Sequence, residues 1–303
     1  MSEKLNVEAA VLDRYRQGAQ ENVEALCCPI SYDATLLRAI PQEILERDYG
    51  CGDPSRFVKP GETVLDLGSG SGKIAYIAAQ IVGASGRVIG VDFNPAMLEL
   101  ARKYRAEVAA QIGFDVVEFR RGRIQDLALD LDALDRELAA HPVKSADDFL
   151  RLNDTCERLR REKPLVASDS IDVVLSNCVL NLVNESEKRQ LFAEIFGVTK
   201  TSGRAAISDI VSNKTVPPEM KNDAELWSGC ISGAYEEAAF VRAFSDAGFA
   251  SVAIAKRDEK PWRVVNGIEF RALTVVATKG VANSSGCCTS PSVSMSPAPS
   301  KCC

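Results

Sequence analysis

Gly68-Ser69-Gly70-Ser71-Gly72 lies directly between an apolar, strand-like run (Thr63-Val64-Leu65-Asp66-Leu67) and a helix-forming run from Lys73 to Val82. A second strand-like run, Arg87-Val88-Ile89-Gly90-Val91-Asp92, ends in a carboxylate twenty positions beyond the last glycine. Strand, glycine turn, helix and strand in that order build a parallel pair, because parallel strands need a long crossover. Glycine turns are needed for tight strand-to-helix connections whether or not anything binds. Here the strand, the helix and Asp92 are all in register, which points to a site for a ribose-bearing cofactor. The glycines let the backbone approach the ligand without Cβ clashes, and Asp92 can take ribose hydroxyls.

The alternation continues along the chain. A helix is expected from Pro95 to Ile112, a strand at Val116 to Arg120, a strand at Ile171 to Ser176, a helix at Lys188 to Val198 and a strand at Arg204 to Asp209. The fold class is therefore α/β, a doubly wound and mostly parallel sheet. Residues 127–169 form a charged, helix-patterned stretch too long for an ordinary connection, so an inserted helical hairpin is expected. Upstream, residues 5–25 read as a helix, and a second helical stretch from Ala34 to Arg47 is broken at Pro41. A helix from Phe240 to Phe249 and strands at Ala250 to Ala255 and Arg271 to Thr278 close the domain. The expected organisation is an N-terminal helical and cysteine segment (1–60), the cofactor-binding domain (61–212), a substrate-side extension (213–280) and a Ser/Pro-rich tail (281–303) that is too poor in apolar residues to order itself.

Composition narrows the function. In 303 residues, 36 basic side chains against 42 acidic ones leave a net charge of −6, without a dense basic stripe, so nucleic acid is not expected as a partner. No apolar run is long enough to span a membrane and the first residues lack a signal-peptide pattern, so a cytoplasmic protein is expected. No long heptad pattern argues for assembly, and a monomer is expected. Ten cysteines in a reducing compartment read as ligands or redox groups rather than as a disulfide framework.

The carboxylate of Asp66, just before the first glycine, would repel a pyrophosphate and suits the ammonium of an amino-acid-bearing nucleoside. In this the segment resembles the class I S-adenosylmethionine methyltransferases. The resemblance implies a cofactor site built from Asp66, Gly68, Ser69, Gly70 and Gly72 at the methionine side, Asp92 and Phe93 at the ribose, Ile124 and Gln125 at the adenine, and Asn177 after the fourth strand.

Fold does not name the acceptor. Cysteines stand where the strands end: Cys51 in Asp48-Tyr49-Gly50-Cys51-Gly52, Cys178 in Ser176-Asn177-Cys178-Val179-Leu180-Asn181-Leu182, and Cys230 in Leu226-Trp227-Ser228-Gly229-Cys230-Ile231-Ser232-Gly233-Ala234. A single cysteine is most often a small buried hydrophobe, as Cys156 is expected to be. Three in separate glycine- or asparagine-flanked loops suggest a shared site. Their spacing is unlike paired zinc knuckles, and the sole histidine, His141, lies in the insertion.

These segments are similar to the cysteine motifs of arsenite methyltransferases. The resemblance implies that Cys178 and Cys230 are core As(III) ligands with Cys51 as the third thiol, and that Cys27 or Cys28 exchanges disulfides with Cys51. It further implies arsenite or thiol-bound As(III) as substrate, S-adenosylmethionine as methyl donor and a thiol reductant, glutathione or thioredoxin, as co-substrate. The insertion is longer than in the family, and Phe196-Gly197-Val198-Thr199-Lys200-Thr201-Ser202-Gly203 replaces the usual arginine, leucine and proline before the fifth strand. Two other readings remain open from the residues alone: methylation of a small organic acceptor, with the cysteines as packing, and a thiol-rich arsenite-binding protein without turnover.

Overall fold

The computed structural model describes residues 5–20, 30, 32–47 and 49–280. Its centre is a mixed sheet in the order β3–β2–β1–β4–β5–β9–β7, with β1 at Thr63–Leu67, β2 at Arg87–Asp92, β3 at Val117–Arg121, β4 at Ile171–Asn177, β5 at Thr199–Ser212, β7 at Ser251–Arg257 and β9 at Ile268–Thr278. The first five run parallel, β9 is antiparallel to them, and β7, antiparallel to β9, runs with the first five. Strands β1 and β4 are buried nearly throughout because both faces are covered. On one face α4 (Lys73–Val82), α5 (Pro95–Lys103) and α6 (Arg105–Ile112) bury Ile74, Tyr76, Ile77, Leu98 and Val108 against the sheet. On the other, α9 (Lys188–Val198) and α11 (Glu237–Asp246) bury Leu191, Phe192, Ile195, Phe240 and Phe244.

The chain reverses its winding between β1 and β4, which are hydrogen-bonded neighbours. In open α/β sheets the crevice above such a pair takes the ligand. The two loops touch there: a Cβ on Gly68 would meet the Val179 side chain at 2.3 Å. The extension does not stand apart, because β9 pairs with β5 from Arg204↔Thr278 to Ser212↔Phe270 and completes the same sheet.

The hairpin expected at 127–169 is present as α7 (Leu131–Ala140) and α8 (Ala146–Glu162), and the break at Pro41 separates α2 (Ala34–Leu37) from α3 (Gln42–Glu46). Three expectations change. The helix from Pro95 to Ile112 is two helices, parted at Tyr104, whose backbone sits at φ −98°, ψ 0° and whose hydroxyl is tied to Glu43. The fifth strand begins at Thr199, directly after α9, rather than at Arg204, so the segment expected to precede it is partly strand and Thr199 is buried. Short strands β6 (Tyr235–Glu236, on β5) and β8 (Arg263–Val265, on β9) were not foreseen, since two or three residues carry no readable alternation. The first helix, α1, spans Val7–Gly18. The tail at 281–303 lies outside the described residues.

Phe244 is wholly buried and packs edge-on to Phe192 at 4.9 Å and Phe240 at 5.4 Å between centroids. Phe244→Ala is expected to lower unfolding free energy by about 3–5 kcal/mol in urea titration; a loss below about 1 kcal/mol would show that α11 is not part of the cooperative core.

Candidate functional site

Two loops at the winding reversal and one from upstream meet at the end of β4. Asn177, the last residue of that strand, accepts hydrogen bonds at Oδ1 from the amides of Cys51 (3.0 Å) and Gly52 (3.0 Å), and its Nδ2 donates to the Gly52 carbonyl (2.8 Å) and the Tyr32 hydroxyl (3.1 Å). The fit is close enough to require glycine on both sides of Cys51: a Cβ on Gly50 would lie 2.3 Å from Asn177 Nδ2, and one on Gly52 2.5 Å from the Ser208 side chain. Asn177, expected at the cofactor, also lines the cavity described below, but its amide is engaged in pinning the Cys51 loop to the sheet.

Cys178 follows at φ 63°, its amide donating to the Ser208 carbonyl at 2.8 Å. Cys230 follows α10 (Ala224–Ser228) at φ 61°, and its thiol donates to the Cys178 carbonyl at 3.3 Å. Non-glycine residues in the left-handed region cost on the order of 1–3 kcal/mol and cluster at functional sites. The described residues hold five such positions, and the two cysteines are among them. The Cys230 loop is wedged against the β4 side of the site: a Cβ on Gly233 would meet the Asn181 carbonyl at 1.9 Å, and buried Lys188 donates to the Gly233 carbonyl at 2.5 Å. Trp227, on α10, packs on Val7 and Val11 of α1, and its indole donates to the Leu182 carbonyl.

The thiols of Cys51, Cys178 and Cys230 are all buried in one cluster. The Cys51 and Cys178 sulfurs and a carboxylate oxygen of Asp209 lie within 4.8 Å of one another, and the Cys178 thiol also interacts with Cys230. Burial pushes the Cys178 thiol well above its ordinary range. The Cys178 thiol, then burial, does the same to Cys230. Asp209 is wholly buried, and burial lifts its pKa to about 7 despite hydrogen bonds from the Ile210 amide (2.7 Å) and the Asn181 side-chain amide (2.8 Å). Cys156 lies apart on α8, half-buried near Arg160. Cys27 and Cys28 lie outside the described residues.

Beside the thiols, at the winding reversal, is a cavity walled by the glycine turn, the β2 tip and α1. Of the residues expected at a cofactor, Asp66, Gly68, Ser69, Gly70, Asp92, Phe93, Ile124 and Gln125 line it, and Cys178 is shared between it and the thiol cluster. Gly72 serves the turn, capping α4 at φ 92°, where a Cβ would meet Phe119 at 2.7 Å. Asp92 is oriented by the Gly70 amide on Oδ2 (2.9 Å), the Asn94 amide on Oδ1 (2.8 Å) and the Phe93 amide, which leaves the carboxylate capacity to accept a further bond. Buried Ser69 Oγ has no partner among the described residues, and Gly70 has open space where a Cβ would be. A carboxylate at each end of a glycine turn, with a donor and free space between them, fits a ligand carrying an ammonium and a ribose.

The residues not foreseen come from α1 and β5. Glu8, Val11 and Tyr15 of α1 form part of the cavity wall, and Glu8 is bonded to Arg123 and to Gln125 (3.2 Å). Tyr15 interacts with the Cys230 thiol. Its periodicity in the sequence matched packing alone, and nothing local shows that α1 folds over the crevice. Asp209 was legible only as a strand-end acid in the substrate region.

A family model described as "Methyltransferase domain" matches residues 58–158 and 156–248. The arsenite methyltransferase of Halobacterium salinarum is 36% identical over 212 residues, 69% of this chain and 43% of that protein. The arsenite methyltransferase of Mus musculus is 31% identical over 208 residues, 67% of this chain and 45% of that protein. The chain thus spans about half the length of the curated relatives it matches. The crystal structure of an arsenic (III) S-adenosylmethionine methyltransferase from Chlamydomonas reinhardtii superposes with a TM-score of 0.64 at 26% identity, covering 85% of this chain and 76% of that one.

Two outcomes follow. Asn177→Ala strands two buried amides, so stability is expected to fall by roughly 2 kcal/mol or more and Cys51 to be alkylated by iodoacetamide several-fold faster; unchanged alkylation would refute the clamp. Asp209, with its folded pKa raised to about 7 from a reference value of 3.8, favours the folded state most below pH 4, and that contribution is lost as pH rises toward and through 7. Urea midpoints between pH 4.5 and 7.5 should therefore decline more steeply in the wild type than in Asp209→Asn; parallel profiles would contradict it.

Proposed function

The chain belongs to the methyltransferase domain family, and from that premise we propose that it transfers methyl groups from S-adenosylmethionine to trivalent arsenic held by Cys51, Cys178 and Cys230, giving methylated arsenicals. The observation that carries this reading is the convergence of buried thiols from distant stretches in one cluster, of which Cys178 also lines the cofactor cavity. The names of the relatives and the whole-chain resemblance to the algal enzyme support it.

Trivalent arsenic is soft and prefers thiolate sulfur. The raised thiol pKa values mean that Cys178 and Cys230 meet neutral arsenite as protonated thiols. Three thiols and As(OH)3 then condense to As(SR)3 and three waters, each thiol proton leaving on a departing hydroxide, so no net charge is brought into the buried site. Three sulfurs leave the arsenic lone pair unused, and it is the nucleophile. Bound in the adjacent cavity, S-adenosylmethionine supplies an electrophilic methyl carbon. Asp66 would hold its ammonium side, Asp92 its ribose, and Ile124 with Gln125 its adenine side. The chain itself contributes position, since Cys178 belongs to both sites; well-oriented reactants can gain about 7–11 kcal/mol. No general base is needed.

Methylation converts the arsenic lone pair into a bond and raises its oxidation state by two. Two thiols closing a disulfide return two electrons and release two protons, and an external thiol, glutathione or thioredoxin, reopens that disulfide. In this reading Cys27 or Cys28 is the exchange partner of Cys51.

Cys178→Ser and Cys230→Ser are each expected to lower formation of methylated arsenic from arsenite by at least about a hundredfold, with S-adenosylmethionine affinity by calorimetry nearly unchanged. Full turnover in either variant would reject the assignment.

A further inference from the structure

Three thiols satisfy pyramidal As(III), yet the site holds a fourth donor that arsenic capture does not use. Asp209 is wholly buried at the end of the β5 register facing β4, with a carboxylate oxygen inside the 4.8 Å grouping of the Cys51 and Cys178 sulfurs. Its Oδ1 accepts from the Ile210 amide and the Asn181 side chain, its Oδ2 accepts a long 3.3 Å bond from the Asn181 amide, and the Leu180 amide also bonds the carboxylate. A cation at Oδ2 would replace the long Asn181 bond. A hard oxygen beside two sulfurs, with the Cys230 thiol interacting with that of Cys178, is a mixed S/O donor set. Such a set suits a tetrahedral divalent ion of the zinc group, in which carboxylate is an ordinary ligand beside cysteine.

We propose that this cluster is also a binding site for a divalent zinc-group cation, Zn2+ or Cd2+, with Cys51, Cys178 and Asp209 as ligands and Cys230 able to complete the tetrahedron, and that the cation and arsenite exclude one another. Binding balances as M2+ plus two thiols and the carboxylate giving M(SR)2(O2CR) with one negative charge and two protons released; a third thiol adds one more of each. The cation site does not rest on the methyl-transfer reading. A chain that binds metal without methylating arsenic would separate the two, and loss of metal binding would leave the arsenic chemistry standing.

The test uses the full chain with its other cysteines (27, 28, 156, 287, 288, 302 and 303) changed to serine, reduced, and titrated with Cd2+ alone. Expected are one Cd2+ per chain, a thiolate-to-cadmium charge-transfer absorption, and stoichiometric displacement between Cd2+ and arsenite. Asp209→Asn, of the same shape, is expected to weaken Cd2+ by about tenfold or more, since even supporting groups around a metal are worth 10–100-fold, while arsenite binding stays within about twofold. A thermal melt establishes that the variant is folded. If it is not, the cadmium-113 chemical shift of the parent chain decides, an oxygen-containing set supporting the site and an all-sulfur set overturning it. No Cd2+ binding, equal affinity in folded Asp209→Asn, or simultaneous binding of Cd2+ and arsenite overturns the proposal.

Discussion

The site depends on one amide side chain. Asn177 uses both lone pairs of its oxygen and both hydrogens of its nitrogen to bring a loop 126 residues upstream against the tip of β4. Neither partner could hold that position alone: the loop around Cys51 has no regular structure of its own, and the strand ends at the residue that grips it. Buried amides in such a contact must be satisfied or they cost free energy, so the clamp fixes the Cys51 position rather than merely permitting it. The left-handed backbone at Cys178 and Cys230 extends the same logic, because conformations that no unstrained chain would choose are kept where the surrounding packing over-determines them.

The surroundings then set the chemistry of the sulfurs. Loops 49–53, 178–182 and 228–234, with α1 across them, exclude water from the cluster, and desolvation keeps the thiols in their neutral form. A pre-ionised trio would repel itself in so small a volume. Neutral thiols can sit together and exchange their protons for a metalloid. The cofactor cavity is built by a different device, backbone turns and anchored carboxylates, and meets the thiols only at Cys178 and Asn177. These two residues thus join the cofactor cavity to the buried thiol cluster.

Much of this was legible in the sequence, for physical reasons that differ element by element. The glycine turn and Asp92 announce themselves because only glycine fits a positive φ or a close contact there, as at Gly68 and Gly72. The buried parallel strands read as near-continuous apolar runs, and the long insertion showed helical periodicity that α7 and α8 display. Cysteines flanked by glycine and asparagine stood out from core cysteines by their neighbours. What could not be read is whatever depends on tertiary closure. The packing of Tyr15 beside Cys230 follows from α1 docking on Trp227, and no local pattern encodes that. Asp209 looks like any acid in a strand until its burial is seen. Asn177 was visible as a strand-end residue, but its grip on a remote loop was not. The split at Tyr104 was invisible because no glycine or proline marks it in the sequence.

The central claim is that sulfur atoms from residues 51, 178 and 230 form a single metalloid-binding centre. Arsenic X-ray absorption on the stoichiometric arsenite complex of a chain whose only cysteines are Cys51, Cys178 and Cys230 tests it directly. The account predicts a first shell of three sulfurs with no oxygen; a shell retaining oxygen with two sulfurs or fewer would contradict it.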